Sequence, residues 1–182
     1  VVNEKNSYKI KSSNKLVTYN KQVLPDIVNK TKGLKKLGTA GSAEMAEELG
    51  DLPIKNWTGS EFDRIEDISG QKIIDTVFES RYYCGSCPIG CGKEIEHSNQ
   101  GKKWKGAGPE YETVGTLGSL CLNDDLDILT LANDLCNRYG LDTISTGSVI
   151  AFAMELSENK IGIFADKSLE WGNGEDIIQA IK

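Results

Sequence analysis

The 182-residue chain lacks any apolar run near the roughly 20 residues that cross a bilayer, and it opens on no basic-then-apolar leader. Both absences point to a cytoplasmic protein outside the membrane. It also lacks the excess of positive charge that phosphate backbones attract. Its 21 Lys and Arg are outnumbered by 27 Asp and Glu, for a formal net charge of −6, which excludes nonspecific nucleic-acid binding as a first reading. Internal repeats and low-complexity tracts are missing, and histidine is nearly so, His97 being the single one. Cysteines number five, an odd count with three clustered, so no secreted disulfide framework is indicated and reduced thiols fit better. What remains, 38% hydrophobic and 26% charged residues, is the composition of a globular chain long enough for a sizeable core. The ends read as cuts. The first residue is Val1, and Ile177, Ile178 and Ile181 open a helical apolar stripe that stops at Lys182, as expected of a piece of a larger protein.

Patterning predicts a mainly α, multihelical domain with at most a short β-hairpin. Residues 1–18 are polar and read as extended. A helix is expected over about 20–33 with Pro25 near its first turn, then a turn at Gly38-Thr-Ala-Gly41. Ser42 is placed to cap a helix over Ala43–Leu49, ended by Gly50. Leu52-Pro-Ile-Lys-Asn-Trp57 reads as extended, and Ser69 caps a helix to about Glu79. Glu94–His97 and Lys102–Trp104 form the hairpin. Helices then follow over 110–121, from Asp124 or Asp125 to Tyr139 with Gly140 closing it, and from Asp142 to Ser157. Residues 1–35 are a partly extended leader, and 36–182 form the helical domain.

The run Cys84-Gly-Ser-Cys-Pro-Ile-Gly-Cys91 has the spacing C-x2-C-x3-C, with glycine and proline to curl the loop. Four thiolates close a cubane iron–sulfur cluster or a structural zinc site, and three are local here. Soft sulfur donors suit iron. His97 could instead complete a Cys3His zinc site, making the chain a small zinc-stabilised helical interaction module. Both alternatives stand on spacing alone. Cys121 and Cys136 could each add a fourth thiol, but core packing accounts for both.

Two further runs carry polar chemistry. In Gly108-Pro-Glu-Tyr-Glu-Thr113, glycine and proline lead into a helix start where Glu110 and Glu112 offset the macrodipole. Gly115 and Gly118 follow, each costing a helix interior about 1 kcal/mol relative to Ala, which suggests a close-packing need. A carboxylate in a desolvated pocket there would transfer protons near neutrality. In Asn137-Arg-Tyr-Gly-Leu-Asp142, Gly140 suits a left-handed helix end and Asp142 the next N-cap.

In this order, the three runs resemble the tungsten-containing aldehyde ferredoxin oxidoreductase family, and Leu52-Pro-Ile-Lys-Asn-Trp57 is similar to the family's LPxKN segment. The resemblance extends from about residue 36 to 172. It implies the middle, helical, cofactor-binding domain of a longer three-domain enzyme, inactive by itself. By that resemblance, Cys84, Cys87 and Cys91 are ligands of a 4Fe–4S cluster beside a tungsten bis-pterin, and the fourth cysteine lies in the last domain. Glu112 is the catalytic proton-transfer group, and Asn137, Gly140, Leu141 and Asp142 bind the pterin. Position 137 departs from the family's aspartate; asparagine keeps an acceptor carbonyl and loses the charge. The implied reaction oxidises an aldehyde to a carboxylic acid with ferredoxin as acceptor. The implied partners are the aldehyde, ferredoxin, the N- and C-terminal domains of the same enzyme and a second copy in a homodimer.

Overall fold

The computed structural model of the chain describes residues 12–99, 102–161 and 168–182. Residues 1–11 of the expected leader and the turn at 100–101 lie outside the described residues. Helix α1 (Ser13–Lys30) starts earlier than its apolar pattern suggests and buries no residue; Pro25 lies inside it rather than in its first turn. Helix α2 (Lys32–Leu37), a 3-10 turn over Thr39–Ser42 and α3 (Ala43–Glu48) follow.

The segment expected to be extended before Trp57 is instead a left-handed turn. Lys55, Asn56 and Trp57 have φ of 45°, 45° and 66°, a conformation costing about 1–2 kcal/mol per residue. The turn is held where the Lys55 and Asn56 N–H groups donate to the Ser119 and Leu120 carbonyls at 3.2 and 3.0 Å. Those carbonyls belong to a tight 3-10 turn; that of Ser119 also accepts from the Leu122 N–H at 3.1 Å, and that of Leu120 is satisfied here.

Ser69 caps α4 (Gly70–Thr76), accepting from the Lys72 N–H at 3.3 Å. The expected helix stops short of Glu79 because the chain turns into strand β1 (Phe78–Tyr82). Strand β1 pairs antiparallel with β2 (Gly92–Asn99), which pairs with β3 (Lys102–Ala107), so the expected hairpin gains a third strand. The fold is otherwise the mainly α arrangement that the patterning predicts.

Helix α5 (Tyr111–Thr113) runs straight into a π turn over Val114–Gly118 and a 3-10 turn over Ser119–Cys121, all buried from Thr113 onward. Helices α6 (Leu126–Tyr139), α7 (Thr143–Glu158) and α8 (Gly174–Ile181) complete the domain. Their N-caps are chemical as well as positional. Asp125 accepts from the Asp127 and Ile128 N–H groups, Asp142 from that of Ser145, and Asn173 from those of Glu175 and Asp176. Gly140 ends α6 at φ 72°, ψ 29°. The core runs through Ile68, Ile73, Ile95, Leu117, Leu120, Leu129, Met154 and Ile177. Among the described residues no helix is long and apolar enough to cross a membrane.

Gly115 and Gly118, where a Cβ would come 3.1 Å from Pro53 Cγ and 2.6 Å from Ile68 Cδ1, place the packing need that patterning flags in the π turn. Helix α7 crosses it so closely that a Cβ on Gly147 would lie 2.6 Å from the Thr116 carbonyl carbon and oxygen. Only backbone fits between the two segments. Gly147→Ala is therefore expected to lower stability by about 1–3 kcal/mol through overpacking, measured as the shift of the urea unfolding midpoint.

Candidate cofactor-binding site

The cysteine loop bridges β1 and β2. Cys84 is exposed, Cys87 and Cys91 are half-buried, and all three thiols are free. The Cys87 N–H donates to the Cys84 carbonyl at 3.0 Å, closing a turn with Ser86 at φ 62°. At the far end Gly90 has φ 67° and lies under the Tyr83 ring, where a Cβ would meet ring carbon at 2.4 Å. Positive φ and the ring together require glycine there. Among the described residues no three His, Cys, Asp or Glu side chains converge closely enough to hold a metal ion, so the three thiols share a loop without meeting at one centre. Their donor chemistry fits an iron–sulfur cluster: three reduced thiols, unpaired with one another, on a loop whose outer side is open.

His97 does not join them. It lies five residues along β2 from Gly92, about 17 Å at strand rise. Its ring is buried and stacks on Trp104 with centroids 5.1 Å apart. Burial holds its pKa below the usual imidazole value, against the opposing pull of Asp134 and Asp127, and Nδ1 has no partner. Cys121 and Cys136 are core residues as expected. Cys121 Sγ donates to the Thr116 and Gly147 carbonyls, and burial raises its pKa to about 12. Burial also pushes the Cys136 thiol up.

A continuous set of contacts leads from the cysteine loop to the other two runs. Lys93, a residue only 5% exposed, donates from its ammonium to the Cys91 carbonyl at 2.5 Å and the Lys35 carbonyl at 3.2 Å. Its pKa is lowered by burial and by Arg81. The Lys93 carbonyl accepts from the Gly108 N–H at 2.7 Å, which fixes the approach to α5. Thr39, from the turn after α2, holds the start of α5 twice: its hydroxyl donates to Glu110 Oε2 and accepts from the Tyr111 N–H. Thr113 Oγ1 lies 2.9 Å from Thr143 Oγ1, and Thr116 Oγ1 bonds the Glu112 and Thr143 carbonyls. The starts of α5 and α7 are thereby locked side by side.

Glu112 and Asp142 sit at those two starts. Glu112 is exposed at the start of α5. Asp142 spends one oxygen on capping Ser145, and its hydrogen bonds to Ser145 hold its carboxyl below the usual range. Asn137, Gly140 and Leu141 lie exposed on the same turn, Leu141 at 43%. Lys93 and Thr39 were missed by pattern reasoning. The one signal for Lys93 was its place two residues past the last cysteine; Thr39 carried none beyond its turn.

The family model described as "Aldehyde ferredoxin oxidoreductase, domains 2 & 3" matches residues 15–182. The chain belongs to the aldehyde ferredoxin oxidoreductase family. Its relatives include the tungsten-containing aldehyde ferredoxin oxidoreductases of Pyrococcus furiosus, 37% identical over 149 residues, and of Thermococcus kodakarensis, 36% identical over 149 residues. Each match covers 79% of this chain and 24% of the relative. An aliphatic sulfonate oxidoreductase, WOR-like subunit, of P. furiosus is 28% identical over 140 residues, covering 74% of this chain and 22% of its own. The chain thus spans about a quarter of the length of the oxidoreductases it matches, and the family's tungsten chemistry is tied to much longer proteins.

Two outcomes follow for the native chain. A thiol reagent should modify Cys84, Cys87 and Cys91 rapidly, leaving Cys121 and Cys136 to react only after denaturation, as read by mass spectrometry of the labelled peptides. His97, with its native pKa below the unfolded value of about 6.5, contributes stability that is complete above that pH and declines as pH falls through it toward the native value. Urea midpoints measured from pH 7 to 5 should therefore drop more steeply for wild type than for His97→Gln.

Proposed function

We propose that this chain supplies one wall of the redox centre of a tungsten-pterin oxidoreductase that converts aldehydes to carboxylic acids and passes electrons to ferredoxin. The observation that carries the reading is the unbroken series of contacts from the three-thiol loop, through Lys93, Thr39 and the start of α5, to the start of α7. Metal donors and the candidate pterin-facing groups are thus held on one scaffold. When bound, the tungsten-pterin supplies the two-electron oxidation and the iron–sulfur cluster carries electrons singly onward.

The residues of this chain then have distinct work. Cys84, Cys87 and Cys91 act as thiolates toward the cluster, with the fourth position open to a ligand from elsewhere in the longer protein. Glu112 presents a carboxylate with no side-chain partner among the described residues, free to accept a proton from substrate or water. Asp142 caps α7 through Ser145 and, exposed at the helix start, would accept from a pterin N–H with its remaining lone pairs. Asn137 offers a carbonyl and an amide NH2 to neutral edges of the same ring system. Gly140 turns the chain sharply between them, and Leu141 adds a small apolar surface.

Anaerobic reconstitution of the chain with ferrous iron and sulfide tests the metal half of this reading. About four iron atoms per chain, with a broad visible absorbance that bleaches on dithionite, is the expected result. Cys91→Ser should lose most of both. A folded wild-type chain that takes up zinc in preference and stays colourless under iron and sulfide would sink the cluster assignment.

A further inference from the structure

Beside the cysteine loop lies a group of cations that form no direct ion pair among the described residues. Lys93 is buried and donates only to two carbonyls. Arg81 Nε donates at 3.0 Å to the same Lys35 carbonyl that Lys93 uses, which draws the two charges together. The Lys35 ammonium stands 5.9 Å from the centre of the Tyr83 ring, at the entry to the loop. Among the described residues none of the three forms an ion pair, although eight ion pairs occur elsewhere in the chain. Glu110, whose carboxylate accepts from the Thr39 hydroxyl, attracts Lys93 without pairing with it, and burial and Arg81 outweigh that attraction. Burying an ammonium without a direct ion-pair partner costs several kcal/mol on the general scale for buried ions. A fold that keeps one here has a reason to do so.

The three thiols supply that reason. As thiolates around a cluster they carry negative charge to the mouth of the loop, and Lys93 already grips the carbonyl of Cys91. We propose that Lys93, assisted by Arg81, is the built-in counter-charge of the thiolate-held cluster, positioning the Cys91 end of the loop and raising the cluster's reduction potential. The role rests on the cluster reading above. Reduction adds one negative charge, so a fixed cation nearby favours the reduced form. In the empty loop the same cation is a burden on the fold.

These two consequences have opposite signs, and together they separate this role from that of a plain structural strut. The full chain is reconstituted anaerobically with ferrous iron and sulfide as wild type, Lys93→Met and Lys93→Arg. Thermal melting is followed with and without iron, and the potential is read by electron paramagnetic resonance during a reductive titration. Without iron, Lys93→Met should melt at or above wild type. With the cluster it should melt below wild type, and its one-electron equilibrium should shift at least tenfold toward the oxidised form, about 59 mV. Lys93→Arg should restore the wild-type potential. A loaded Lys93→Met with the wild-type potential and the wild-type gain in melting temperature overturns the role and leaves the cluster reading intact. A wild-type chain that binds no iron overturns the cluster reading and this role with it. If Lys93→Met does not fold, Arg81→Gln, at an exposed position, decides the matter: a smaller negative shift supports the counter-charge, and an unchanged potential overturns it.

Discussion

Where α7 crosses the π turn, backbone rests on backbone, with Gly147 against Thr116 and no side chain between them. A π turn widens a helix by one residue and turns its carbonyls outward. Here the Thr116 carbonyl is released to accept from Cys121 Sγ, and the Thr116 hydroxyl reaches back to Glu112 and across to Thr143. That contact sets the height of α7 relative to α5, and with it the distance between Glu112 and Asp142. The start of α7 takes its place beside α5 from this close crossing and from the Thr113 and Thr116 hydroxyls that reach Thr143. Ser119 extends the same logic by bonding Pro53 and Gly115, so the left-handed turn at Lys55–Trp57 is anchored to the distorted helix as well.

The other fixed point is Thr39. A single hydroxyl serves both as donor to Glu110 and as acceptor for the Tyr111 N–H, and so caps a helix from outside its own sequence. Glu110 occupies the N-cap position of α5 without capping it. The helix start is satisfied across 72 residues of chain, which couples the turn after α2 to the run that carries Glu112. Lys93 performs the equivalent service on the cysteine side, closing the loop end onto α2 through two carbonyls. Thr39 and Lys93 thus hold the cysteine loop and the helix starts in one frame.

What was legible in the sequence follows from this division. Caps and helix ends at Ser69, Asp125, Gly140 and Asp142 are local chemistry, and the structure has them where side-chain type and spacing put them. The inertness of Cys121 and Cys136 was legible for the same reason, since the face of a helix is a local property. Strand β1 was not, because Val77, Phe78 and the residues before them continue a helical apolar pattern, and only pairing with Lys93–Ile95 makes an extended segment worthwhile. The turn at Lys55–Trp57 was read as extended because proline restrains only the residue before it; the carbonyls that stabilise three left-handed residues come from Ser119 and Leu120, more than 60 positions away. At the candidate site the donors were visible as residue types, whereas the frame that holds them was long-range and invisible.

The exposure of the candidate groups is itself informative. Helix α7 carries apolar residues on all sides, the pattern of a helix buried all round, yet Ile144, Val149 and Phe152 are 42%, 58% and 54% exposed. Tyr139 and Leu141, on the turn that carries Asn137 and Asp142, are exposed as well. Full burial of such side chains is worth about 1.5–3 kcal/mol each, so even half of that leaves this surface with several kcal/mol to gain from being covered. Hydrogen bonds to a polar heterocycle are weak in water and strengthen as solvent is withdrawn. Asn137, Leu141 and Asp142 share one turn with exposed apolar side chains next to them in the chain, so a covering that buries Tyr139, Leu141 and Ile144 also withdraws water from Asn137 and Asp142.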